Sequence, residues 1–411
     1  MIVRLVGFEK GKPLFILASA YIFYVLFASV SKWLNLPLNT FLALYIGSFT
    51  LLAVVALKFP ARQNLAACHS DKRAWLTGLM VVVAGYSLYR LIVGPYTEIP
   101  ADLYRHLEYA RVQFEGIATG HLGSEHSLSA LFKQQGGIWY SFYALITHLL
   151  NAEFTDTLSA AMFANSLVYL IAVYSFAWYL FGHFNLGSKA RMAAAVFSCF
   201  FMAAQLGLNL FAYIRYYNFA PAILNMVIYF AAVVAVIELL KWQENKIKHF
   251  IFLALALPAA AIVHNQETLF VLIIGGLMLA WFAIQPKHIT STHSFISSQK
   301  RWPYWALVSL FIIGFIGLEA WTYTHEARPN HFFNKVLQLS EQGPIWNRVL
   351  FLNPSYQAFQ VITLWGLLVY ALFAFYWRRF IAHPFLFAGM LIPIFTVFNP
   401  LFVDWFLRTD G

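Results

Sequence analysis

Long apolar runs separated by short polar connections fill nearly the whole chain, and the pattern breaks for one long stretch between residues 96 and 156. A helix needs roughly 20 residues to cross a hydrocarbon core of about 30 Å. About eleven runs reach or approach that length, near residues 13–34, 39–59, 74–94, 157–182, 192–210, 218–240, 249–263, 268–285, 303–323, 358–376 and 383–402. The seventh is the shortest and contains Pro258. The pattern predicts an all-α fold, a polytopic transmembrane helical bundle forming a single domain over residues 1–411. Two sizeable polar segments remain, 96–156 and 323–357.

Within the first polar segment the periodicity changes character. Leu103, Leu107, Ala110 and Phe114 recur at helical spacing and predict one apolar stripe, while Asp102, His106, Tyr109 and Gln113 fall along one edge of the same helix. Farther on, Ile138 to Leu150 reads as a semi-apolar helix of about thirteen residues, too short to span. The two are expected to lie along the membrane surface as a small cap, joined by a turn at Gly136-Gly137.

Composition agrees with the pattern: 61% of residues are hydrophobic and only 11% charged, against about 25% charged in soluble domains. The formal net charge of +10 does not indicate nucleic acid, because the bases are dispersed between apolar segments rather than clustered on one face. They collect in alternate loops, at Arg4/Lys10/Lys12, Lys58/Arg62/Lys72/Arg73, Lys189/Arg191, Lys241/Lys246/Lys248, Lys287/Lys300/Arg301 and Arg378/Arg379. By the positive-inside rule these loops are cytoplasmic, with the N-terminus inside, the C-terminus outside and both polar segments external. The first apolar run is longer than a signal-peptide core and reads as an uncleaved span. Cys68 is expected in a loop and Cys199 inside a span, so the two cannot pair, and no zinc-ligand spacing exists. No P-loop, dinucleotide fingerprint or HExxH motif supports an ATP-driven pump, a dinucleotide enzyme or a zinc protease.

Candidate chemistry gathers at the external side. Asp102, following Pro100 at a helix start, reads either as an N-terminal cap or as a general base at the water–lipid boundary. His264 and Glu267, three residues apart in the His264-Asn-Gln-Glu267 turn before Thr268, share a helical face; they read as ligand-binding groups or as a capping arrangement with Asn265. Arg215, among tyrosines, is either an interfacial anchor or a phosphate ligand, and Arg328, Lys335 and Arg348 are alternatives for the latter. Glu319 falls inside a predicted span, where an ionisable group is a functional candidate, whereas His325, Glu326 and His331 read as solvated loop residues.

This layout resembles the membrane-embedded GT-C glycosyltransferase superfamily over about residues 74–411. The resemblance rests on the Pro100-Ala-Asp102-Leu-Tyr-Arg-His106 opening of the large external loop, the two interfacial helices, the aromatic-rich spans, the His264-Asn-Gln-Glu267 turn, and the closing Phe398-Asn-Pro-Leu-Phe402 with Arg408. It implies transfer of a sugar from a polyprenyl-phosphate carrier, with inversion, to a glycan, lipid or protein acceptor at the external face of a bacterial cytoplasmic (inner) membrane. Asp102 would be the catalytic base. His106, His264 and Glu267 would bind hydroxyls, and Arg215, Arg328 and Arg348 would hold the lipid phosphate. Membrane lipids and the lipid-linked donor are the implied partners. No cofactor is implied, and a divalent metal stays open.

Two departures stand against the pattern. Two extra spans precede the loop, and Asp102 is followed by Leu103 rather than by a second acid. The chain stops at Gly411, a few residues past its last predicted span, which reads as a C-terminal truncation. The rival readings are a transporter or flippase for a lipid-linked or anionic substrate, and a non-catalytic subunit of surface-polysaccharide assembly.

Overall fold

The computed structural model of the chain describes residues 12–58, 69–93, 101–122, 137–184, 186–200, 202, 219, 221–240, 246–284, 375 and 383–395, with the backbone alone at some positions, Asp102 among them. The described residues are all-α, with no strand. The helices are α1 (Lys12–Trp33), α2 (Leu38–Lys58), α3 (His69–Val93), α4 (Ala101–Ala118), α5 (Gly137–Leu149), α6 (Phe154–Phe181), α7 (Ser188–Phe200), α8 (Pro221–Leu240), α9 (Lys246–Val263), α10 (Asn265–Ile284) and α11 (Pro384–Phe395).

Four segments are long and apolar enough to cross a membrane: Pro13–Trp33, Asp71–Ile92, Asp156–Phe184 and Pro221–Leu240. Shorter apolar helices cover Leu38–Leu52, Ile247–Val263 and Glu267–Trp281. Each coincides with an apolar run of the sequence. The expected span near 303–323 and nearly all of that near 358–376 lie outside the described residues, as does the polar segment 323–357.

The surface of these helices is what a membrane protein requires. Ile46 and Leu51 on α2, Met80, Leu91 and Ile92 on α3, Phe197 on α7 and Phe250 on α9 are all exposed. Water penalises so many large apolar side chains, whereas hydrocarbon does not. In contrast α8, apolar apart from Asn225, Tyr229 and Glu238, is buried along almost its whole length from Pro221 to Leu240, as expected of a helix at the centre of a bundle.

The chain divides into two compact units. The first comprises residues 1–235 and 247–268, and holds α1 to α7, α8 as far as Ala235, α9, and the start of α10. The second comprises residues 236–246 and 269–411, within which the described parts are the end of α8, the body of α10, and α11.

Within the first unit α6 is the reference element. At 28 residues it is about 40 Å long. Its N-terminal end meets α5, where the Thr157 hydroxyl bonds Tyr143 Oη at 2.9 Å and Thr147 Oγ1 at 3.0 Å. Its C-terminal end meets the starts of α3 and α7. There Arg191 Nε donates to Trp178 O at 2.6 Å with its guanidinium 4.4 Å from the Trp178 ring centre, and the Ser188 hydroxyl bonds Asp71. Burial lowers the Arg191 pKa, while Asp71 and then Tyr174 oppose the shift.

Close approach of α3 to α6 and α7 depends on Gly78. A Cβ there would run into the Tyr174 hydroxyl and come within 2.8 Å of Met192 Cγ. Tyr174 Oη in turn donates to Trp75 O at 3.0 Å. At the opposite end of α6, the α1–α2 connection touches the end of α4, where Leu38 N donates to Gly120 O at 2.8 Å.

Candidate functional site

The site begins with the seam between the two non-spanning helices. The helix expected from Asp102 onward is α4, and that expected from Ile138 is α5, 13 residues long. Of the expected apolar stripe, Ala110 is buried while Leu107 and Phe114 are half-buried, and Leu103's side chain lies outside the described residues. The buried side turns toward the polar edge, so that Ala110, Gln113 and Ile117 are buried while His106 and Tyr109 meet Tyr140.

The reason is α5, whose inward positions offer polar partners. His106 Nδ1 is hydrogen-bonded to Tyr140 Oη, and the Ser141 hydroxyl lies 2.9 Å from Gln113 Oε1, to which it donates. Burial pushes the Tyr140 hydroxyl's pKa far above the ordinary tyrosine value, and the neighbouring Tyr109 and Tyr21 push the same way. Below α5 the packing is aromatic. Phe219 meets Tyr143 edge-on with centroids 5.0 Å apart, and its carbonyl accepts from Trp139 Nε1 at 3.2 Å.

The second part is the His264 turn. Helix α9 ends at Val263 and α10 begins at Asn265, which leaves His264 alone at the junction. Glu267 occupies the first turn of α10, where a carboxylate complements the helix dipole. Its Oε2 accepts from His264 Nδ1 at 2.6 Å and from Asn225 Nδ2 at 3.0 Å. Asn225 comes from α8 and is wholly buried, and the same Nδ2 also reaches His264 O at 2.9 Å and Ala260 O at 3.2 Å. Three segments are thereby clamped by one side-chain amide.

The first unit thus holds two polar groups, His106 with Tyr140 at the interfacial helix and His264 with Glu267 and Asn225 at the turn. Tyr21 Oη, Asn225 Oδ1 and Thr268 Oγ1 are buried without a hydrogen-bond partner among the described residues. Leaving such a group unpaired costs about 1–3 kcal/mol, and more in hydrocarbon.

Of the residues expected to form a site, His264 and Glu267 are brought together at the turn, while His106 bonds Tyr140 at the seam of α4 and α5. Asp102 is in the first turn of α4, four residues before His106, and its side chain is outside the described residues. Arg215, Arg328, Lys335 and Arg348 also lie outside the described residues, together with Glu319, His325, Glu326 and His331. Tyr21, Tyr140 and Asn225 were not legible as site residues, because each sits within an apolar or aromatic run. An Asn at the fifth position of a span whose only charged residue is Glu238 was the available signal.

Comparison of the chain with protein-family models, with curated proteins and with solved structures gave no match. Among the described residues no group of three or more His, Cys, Asp and Glu is placed to hold a metal ion. At the far end of α6 a cleft of about 720 Å³ is lined by Arg73, Thr77, Ser188 and Lys189. It is open and cationic, but the buried, mutually oriented polar groups that chemistry needs belong to the other end.

Proposed function

We propose that the chain is a GT-C-like membrane glycosyltransferase that moves a sugar from a polyprenyl-phosphate carrier to an acceptor hydroxyl at the external face of a bacterial cytoplasmic membrane. The observation that carries this reading is the hydrogen bond of His106 to Tyr140, one turn after Asp102 on a helix too polar to span, in the same unit as the His264, Glu267 and Asn225 cluster. A lipid-borne substrate meets the protein at the interface, and a non-spanning helix with polar groups turned toward the bundle suits that encounter.

In this mechanism the Asp102 carboxylate takes the proton of the acceptor hydroxyl as its oxygen attacks the anomeric carbon. The bond from that carbon to the carrier's phosphate oxygen breaks, the configuration inverts, and the electron pair leaves with the lipid phosphate. Arg215, Arg328 and Arg348 are proposed to neutralise that charge through paired hydrogen bonds. His106 positions the start of α4 through Tyr140, and Glu267 with His264 accepts and donates to sugar hydroxyls. The basic residues Arg73, Lys189 and Arg191 gather at the other end of α6, which supports placing that end in the cytoplasm.

Glycan transfer by membranes carrying wild-type chain or Asp102→Asn tests the reading. Loss of transfer at equal expression agrees with the base assignment, whereas unchanged transfer overturns it. A transporter or flippase is the second reading, favoured by the burial of Asn225 and Glu267 deep in the first unit. It predicts that Asp102→Asn leaves movement of a lipid-linked substrate intact.

A further inference from the structure

The cleft at the far end of α6 takes no part in the proposed reaction. It lies between the start of α3, which supplies Arg73 and Thr77, and the start of α7, which supplies Ser188 and Lys189, and its volume of about 720 Å³ is that of a small-molecule site. Four bases, Lys72, Arg73, Lys189 and Arg191, stand against one acid, Asp71, at these two helix starts. Asp71 is engaged within the protein by the Ser188 hydroxyl, and Arg191 by Trp178. Arg73 and Lys189 are exposed, and neither forms an ion pair or side-chain hydrogen bond among the described residues.

Each of these two cations heads an apolar row. On α3 Arg73 shares a helical face with Thr77, Val81 and Leu88, all exposed; on α7 Lys189 shares one with Ala193, Phe197 and Phe200, exposed as well. The two helices begin at the cleft and pack side by side, with Gly78 of α3 close to Met192 of α7. Two apolar rows therefore lead away from one cationic cleft. Protein covers little of α3: only 17% of its apolar stretch is buried, against 56%, 61% and 78% in the other three long spans, so lipid forms its outer wall.

We propose that this cleft binds one anionic two-chain phospholipid, with the headgroup phosphate between Arg73 and Lys189 and an acyl chain along each row. Charge complementarity selects the headgroup, since a zwitterionic one brings its own cation to a cleft that already holds two. The rows select a lipid over a soluble phosphate, which would leave them unused. The assignment is independent of the glycosyl-transfer reading, whose carrier phosphate belongs at the opposite end of α6.

Native mass spectrometry of the full chain released from neutral detergent tests it, with phosphatidylglycerol, phosphatidylcholine, polyprenyl phosphate and inorganic phosphate as probes. One phosphatidylglycerol is expected to be retained at concentrations where phosphatidylcholine is not. Arg73→Gln and Lys189→Gln should each weaken that retention roughly fivefold. Lys72→Gln, which removes a neighbouring charge that does not line the cleft, should leave it unchanged, and Thr77→Trp, which fills the cleft at constant charge, should abolish it. All four positions are exposed, so the variants are expected to fold. Equal retention of phosphatidylcholine, or an equal loss in Lys72→Gln and Arg73→Gln, would reduce the site to diffuse surface charge and overturn the proposal. Displacement of the lipid by millimolar inorganic phosphate would overturn the role of the apolar rows. Polyprenyl phosphate held as tightly as phosphatidylglycerol, with the same dependence on Arg73 and Lys189, would overturn the two-chain assignment and place the carrier at the wrong end for Asp102.

Discussion

Asn225 Nδ2 donates to Glu267 Oε2 at 3.0 Å, so that an amide from one apolar helix holds the first turn of another inside the bundle. His264 Nδ1 lies 2.6 Å from the same carboxylate oxygen. Removing the amide leaves a buried charge short of a hydrogen bond, which costs about 1–3 kcal/mol. Asn225→Ala should therefore lower the unfolding midpoint in detergent. An unchanged midpoint would mean that the clamp contributes nothing.

His106 and Tyr140 depend on each other in the same way at the cap. Tyr140→Phe and His106→Phe each break the one bond, so the double variant should lose little more than either single one. The coupling expected from a double-mutant cycle is about 0.5–1.5 kcal/mol. Additive losses would show that the two side chains act separately.

Tyr140 also fixes a pH dependence. Its pKa is raised in the folded state, chiefly by burial, so the folded chain holds the proton more tightly than the unfolded one. The contribution is complete below the ordinary tyrosine value of about 10 and is lost as pH rises above it. Stability should fall on the alkaline side, and Tyr140→Phe should flatten that fall. Identical alkaline profiles for the two chains would contradict the burial argument.

At the other end of α6, Gly78 is a packing requirement. Gly78→Ala should destabilise the chain by roughly 1–3 kcal/mol, as overpacking does, because its Cβ meets Tyr174 and Met192. Adding Tyr174→Phe removes the nearest atom and should restore part of the loss. No loss in Gly78→Ala would mean that α3 does not approach α6 this closely.

The helices of the bundle were legible because a span is defined by length and apolarity alone, and both are one-dimensional properties. Helix α4 was legible from its period, yet its buried face was not: Ala110 is common to the stripe and the seam, but Gln113 is buried only because Ser141 of α5 offers it a hydroxyl. His264 and Glu267 declared themselves by spacing. Asn225 did not, since what matters about it is contact between helices α8 and α10, and the sequence distance of 42 residues from Glu267 hides that contact. Eleven spans were expected, and four long spans with three shorter apolar helices are found among the described residues.

The central claim is that substrate chemistry occupies the end of the first unit where α4, α5 and the His264 turn meet. The most direct measurement is an electron cryo-microscopy map of the full chain in nanodiscs with added polyprenyl phosphate. Density for the phosphate is expected beside the start of α4, near Asp102. Density for the carrier in the cleft of Arg73 and Lys189, at the opposite end of α6, would contradict both the sidedness and the mechanism.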